Sequence, residues 1–176
     1  MAATVQVAGL ATIKVGKEGC ADALLEILGY TVNGAKIRVE SYFEEVHGDQ
    51  YGGDQGPPIE MVYLGERAIV TLEMSKWDGQ VADKISGRLY GKQAGKIFDQ
   101  VGDYTVGPGT PVFAPGFAYR LVIKVAGQGQ ISWNFPRAVP REPMEINKGT
   151  RHSVLMLVWD CYPNDAGILY QPYTGT

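Results

Sequence analysis

Histidine is nearly absent from this sequence: there are two in 176 residues, His47 and His152. Neither sits in an HxH or HExxH spacing or beside a carboxylate cluster, so the most frequent general base and metal ligand are both in short supply. Cysteine is as scarce. Cys20 and Cys161 lie far apart with no CxxC or Cys/His spacing near either, which argues against a zinc knuckle or a disulfide framework and for two small buried apolar residues. No GxSxG, GxxxxGK[ST] or strand-following GxGxxG occurs, and the glycine pair Gly127 and Gly129 lacks the helix that a phosphate cradle requires. Glu44 and Glu45 are neighbours, and neighbours on a strand point to opposite faces, so they cannot flank one glycosidic bond. The expectation is a protein that is not an enzyme and uses no cofactor and no metal. One ion-binding alternative stays open, in which Asp49, Asp54 and Glu60 hold calcium together with loop carbonyls, although their spacing is not that of an EF-hand.

The chain also lacks any apolar stretch of about 18 residues, and its N-terminus has no basic segment followed by an apolar one. It reads as a soluble protein made in the cytoplasm, with no membrane partner. Positive charge is in the minority, 16 Lys and Arg against 19 Asp and Glu for a net charge of -3, which argues against tight nucleic-acid binding through phosphate neutralisation. The deficit is concentrated. From Val39 to Glu66 there is no Lys or Arg, while Glu40, Glu44, Glu45, Asp49, Asp54, Glu60 and Glu66 fall in that span. Such a run is either a solvated acidic loop or a surface that must repel something anionic.

What is abundant is turn chemistry, with 23 glycines and 10 prolines spread along the chain, which favours many short strands over a helical bundle. Ala8 to Val15 reads as a first strand, and Leu24 to Leu28 as a second apolar run of either type. Asn33-Gly34 carries the signature of a type I′ hairpin between Gly29 to Val32 and Ile37 to Phe43. Along Lys36 to Phe43, Ile37, Val39, Ser41 and Phe43 alternate with Arg38, Glu40, Tyr42 and Glu44, giving one mostly apolar and one charged side. His47 to Pro58 holds too many glycines and prolines for regular structure and reads as a long loop. Strands are expected at Ile59 to Leu64 and Glu66 to Met74, broken at Gly65. A helix follows, capped by Asp78 and facing Val81, Ile85 and Leu89 inward, with Trp77 placed to pack back on Ala82. Phe117 to Val125 and Ile131 to Phe135 read as further strands. Proline-rich Arg137 to Pro143 suits an edge or connecting arm, and Val154 to Trp159 a central strand buried on both faces.

In that order, these pieces resemble the tail-tube proteins of tailed bacteriophages. The resemblance rests on LGYTVNG from Leu28 to Gly34, GDQYG from Gly48 to Gly52 with Pro58 to Glu60 behind it, and LEMSKW from Leu72 to Trp77. It continues through the helix at Asp78, NFPRA from Asn134 to Ala138, and GILY from Gly167 to Tyr170 after a final apolar strand. It covers nearly the whole chain as one domain. The resemblance implies a mainly β fold, two packed antiparallel sheets as a sandwich or barrel-like body flanked by one helix, with a long hairpin and loops reaching neighbours. It implies homo-oligomeric, hexameric rings that stack into a tube, a location in the virion, contacts with other virion proteins, and a lumen through which DNA passes without specific binding. Under this reading the candidate lumen acids are Glu40, Glu44 and Glu45, and the candidate subunit-interface loop is Gly48, Asp49, Gln50, Tyr51, Gly52, Gly53, Asp54, Pro57 and Pro58. Two other functions stay open: a capsid decoration, cement or head-tail completion protein of related fold, and a carbohydrate-binding module using some of the ten tyrosines as a stacking platform.

Overall fold

The computed structural model describes residues 3–7, 10–48, 56–85, 96–98, 104–105, 118–126, 131–148 and 153–175. The chain is mainly β, as expected. Its strands are β1 (Ala3–Val7), β2 (Ala11–Lys17), β3 (Glu26–Val46), β4 (Glu60–Trp77), β5 (Lys96–Phe98), β6 (Tyr104–Thr105), β7 (Tyr119–Val125), β8 (Trp133–Lys148), β9 (Ser153–Tyr162) and β10 (Gln171–Pro172). One α-helix, α1 (Gly79–Ile85), appears among the described residues, beside a single 3₁₀ turn at Asp22–Leu24. Hydrogen bonding joins eight strands in one antiparallel sheet, while β5 and β6 form a small ribbon of their own. The long sheet runs β3-β2-β7-β8-β9-β4, and β4 pairs back onto β3, so these strands close into a ring. Gly29 shows the closure directly, since it is opposite Ile13 of β2 on one edge and Trp77 of β4 on the other.

Alternation decides what the ring encloses. Ile13, Leu72, Met74, Leu121, Ile123, Phe135, Leu155 and Trp159 are all buried from the inward faces of their strands, with the Tyr119 and Trp159 rings meeting edge-on at 5.6 Å. Helix α1 adds Val81, Ala82 and Ile85 to the same core. Asp78 caps it as expected: its Oδ1 accepts from the backbone N–H of Gln80 at 2.8 Å and of Val81 at 3.3 Å. Its own N–H donates to the Leu28 carbonyl, tying the helix start to β3. Trp77 packs against the core; Leu89 lies outside the described residues. Cys161 is buried, Cys20 half-buried, and both are free.

Several expectations change. No hairpin forms at Asn33-Gly34, because β3 runs straight through it. Gly34 does take a positive φ of 84°, but in a bulge: Thr31 faces Met74 and Ala35 faces Leu72, so three residues of β3 bulge opposite Glu73. Asn33 Nδ2 donates to Glu73 Oε2 at 3.3 Å. The strand keeps its heading because partners flank both halves. β2 lies along 26–30 and β1 along 35–39 of one edge, and β4 runs the length of the other. Long-range pairing thus overrides a local turn preference. The break expected at Gly65 is also a bulge within the continuous β4, with Leu64 unpaired between Tyr63 and Gly65. The Arg137 to Pro143 segment is no connecting arm; it belongs to β8. Its prolines still follow edge rules: β7 accompanies β8 only to Ala138, Pro140 lies beyond that point opposite Trp159 of β9, and Pro143 falls in a register shift between Arg141 and Glu145. β9 is central, yet only one side is fully buried; Leu155, Leu157 and Trp159 point inward and Val154, Met156 and Val158 are half-buried outside.

Where β3 bulges, the β2–β3 ladder needs another acceptor. The buried Thr31 side chain supplies it: Oγ1 accepts the Ala11 N–H at 2.9 Å and donates to the Ala11 carbonyl at 3.4 Å. Gly29 is required nearby, since a Cβ there would meet the Lys76 carbonyl, the Trp77 Cα and the Met74 sulfur. Replacing Thr31→Val keeps the shape but leaves a buried amide unpaired, an expected loss of about 1–3 kcal/mol. Thr31→Ser, which keeps the hydroxyl, is expected to lose less. Urea denaturation checks the order, and equal midpoints for the two variants would count against the seam.

Candidate functional site

The last β1 partner of β3 is Val39, and the first β4 residue paired with β9 is Ala68. Beyond them, Glu40–Val46 of β3 and Glu60–Arg67 of β4 pair only with each other among the described residues. The result is a two-stranded ribbon leaving the closed sheet, its end held by the Ile59 N–H donating to the Val46 carbonyl at 2.8 Å.

A charged latch sits at its root. Glu40 and Arg67 are direct cross-strand partners. Glu40 Oε2 accepts from Arg67 Nε at 3.0 Å and a second guanidinium nitrogen at 2.9 Å, and from the Tyr42 hydroxyl at 3.2 Å, while Arg38 lies 3.1 Å from Oε1. The Arg67 guanidinium also stands 5.6 Å over the Tyr42 ring. The Arg67 hydrogen bond, with help from Tyr42 and Arg38, holds the Glu40 carboxyl below the usual glutamate range. Arg38, Glu40 and Tyr42 share one side of β3, as the alternation of Lys36 to Phe43 implies.

Above the latch, register sorts the ribbon's side chains into two faces. Phe43 opposes Tyr63 and Glu45 opposes Met61, so these form one face, on which the Phe43 and Tyr63 rings are 5.5 Å apart. Glu44 opposes Val62 and Val46 opposes Glu60 on the other. We call them the aromatic and the acidic face. Both are wet: Phe43 is 48 % exposed, Met61 56 %, Tyr63 55 % and Val62 42 %, and Leu64 at the bulge is 60 % exposed.

The three acids singled out from sequence therefore have three different settings. Glu40 is neutralised at the root; Glu44 and Glu45 are exposed on opposite faces, with Glu45 3.5 Å from His47 Nε2. Of the candidate interface loop, Gly48 lies just after the β3 strand of the ribbon and Pro57 and Pro58 just before its β4 strand, whereas Asp49, Gln50, Tyr51, Gly52, Gly53 and Asp54 lie outside the described residues, as does His152. No group of three metal-ligating side chains occurs among the described residues. Sequence reasoning passed over Arg67 and the exposed apolar run. The signals were present: Arg38 and Arg67 bracket the stretch without basic residues, and Met61 to Leu64 is an apolar run on a strand that nothing among the described residues buries.

No family model matches the chain, and no curated protein is similar to it in sequence.

The latch makes a pH prediction. A carboxyl whose folded pKa lies below its unfolded value adds stability above the unfolded pKa and loses it as pH falls through the folded one. Wild type is therefore expected to exceed Glu40→Gln in thermal midpoint at neutral pH, with the difference closing as pH falls below about 4. A difference that stayed constant down to strong acid would sink the latch.

Proposed function

We propose that the chain is a self-assembling virion subunit of the tail-tube type, whose rings stack into a conduit for DNA. The observation that carries this reading is the ribbon. Two strands alone are marginal in water, and these expose large apolar groups on both faces and, among the described residues, have no partner strand along either edge. Such an arm is a liability for a monomer and an asset for a subunit whose neighbours cover it. The resemblance in sequence supplies the rest: hexameric rings, assembly in the host bacterial cytoplasm into the virion, contacts with other virion proteins, and the closed sheet flattened into two facing layers flanked by α1.

On this reading the acidic face of the ribbon lines the lumen. Glu44 and Glu60 repel the phosphate backbone, so DNA passes without adhering, whereas basic groups would hold it by releasing counterions. Glu40, already paired with two arginines, contributes little, and Glu45 faces the other way. Under this reading the segment from Gly48 to Pro58 contacts a neighbouring subunit.

Negative-stain micrographs of the purified protein are expected to show closed rings and stacked tubes. Glu44→Lys combined with Glu60→Lys should leave rings intact while they begin to retain DNA, released again by salt. Rings at another symmetry that do not stack would favour the decoration or cement reading, and a monomer at every concentration would remove self-assembly altogether.

A further inference from the structure

Beyond the Arg67 latch at its root the ribbon carries acids and no Lys or Arg; a patch at the far end of the sheet has the opposite character. Lys76 of β4, Tyr30 of β3, Thr12 of β2 and Lys124 of β7 are successive register partners across four strands, so their side chains stand in one row on one face. It is the outer face, because the adjacent Ile13 and Ile123 are buried in the core. Lys76 Nζ lies 6.0 Å over the Tyr30 ring. In the next row Lys14, its Nζ 6.0 Å over the Tyr173 ring, stands between Ile27, which is 45 % exposed, and Val122, which is buried, so Ile27 supplies the open apolar surface. The patch is thus basic, aromatic and apolar together.

We infer that this row receives the aromatic face of the ribbon of a second copy, with Glu45 set against Lys76 or Lys124 and the Phe43 and Tyr63 rings beneath their ammonium groups. The inference rests on the self-assembly proposed above and names the surface that the arm occupies. Three features select the occupant. Beyond its root the ribbon, Ser41 to Val46 and Glu60 to Glu66, carries Glu44, Glu45, Glu60 and Glu66 and no Lys or Arg, complementing a row that begins and ends in lysine. Its aromatic rings match ammonium groups that already favour a ring face, as Lys76 does over Tyr30. The chain's own ribbon cannot reach, since Tyr30 and Phe43 lie roughly 40 Å apart along one strand at about 3.3 Å per residue. A contact between two different patches on successive copies is heterologous, and heterologous contacts propagate into rings or filaments.

A charge swap tests it. Glu45→Lys places a positive ribbon on a positive row, and Lys76→Glu with Lys124→Glu places a negative ribbon on a negative row. Each variant alone is expected to need at least about tenfold more protein to assemble by sedimentation velocity, because like charges then face each other. Mixed in equal amounts, the two variants are expected to recover assembly, since each ribbon now meets a row of opposite sign. Circular dichroism melts confirm that both variants are folded. Row variants that assemble as wild type does overturn this docking while leaving self-assembly standing, and so do folded variants that fail alone and are not rescued by mixing. Wild type that stays monomeric removes the docking and the self-assembly together.

Discussion

Pairing between β3 and β4 is the constraint on which the rest depends. Along their inner halves these strands are the seam that closes the sheet, and closure leaves no free edge where the core is built. Along their outer halves the same two strands run past every other partner and become the ribbon. One continuous ladder therefore provides both a fully buried and a widely exposed part of the molecule. The bulge at Val32 to Gly34 allows this, because it lets β3 change neighbours from β2 to β1 without ending, and Thr31 fills the gap in hydrogen bonding that the change creates.

Between the two regimes stands the Glu40 latch. Its four polar groups lie where the ladder loses its outer neighbours, so they brace the point at which the ribbon would bend. Side-chain ion pairs at a surface are weak individually. Here a bidentate guanidinium, a hydroxyl and a second arginine converge on one carboxylate, and such geometry orients a strand pair better than it stabilises a fold. The direction of the ribbon matters to the proposed assembly more than its strength of attachment, since an arm must meet a surface on a separate copy.

Proline falls where it keeps a strand edge from pairing with another chain. From Val139 onward, among the described residues, β8 is paired with β9 alone, and Pro140 and Pro143 interrupt the edge this leaves. The ribbon edges contain no proline between Glu40 and Val46 or between Glu60 and Arg67. One free edge is blunted and the other is left open, which fits a chain that associates through a chosen strand pair.

The sequence by itself determined what local pattern can carry: the mainly β class, a central apolar strand at β9, and the start of α1 at Asp78, where the cap is a short-range hydrogen bond. It also marked the acidic stretch between Arg38 and Arg67. It could not decide the meaning of Asn33-Gly34 or Gly65, because glycine with positive φ serves a turn and a bulge equally, and only partners distant in the chain distinguish them. Nor could it sort Glu40, Glu44 and Glu45. Whether a carboxylate is neutralised or exposed depends on which residue stands across the ladder, and that register is set by the packing of the whole sheet.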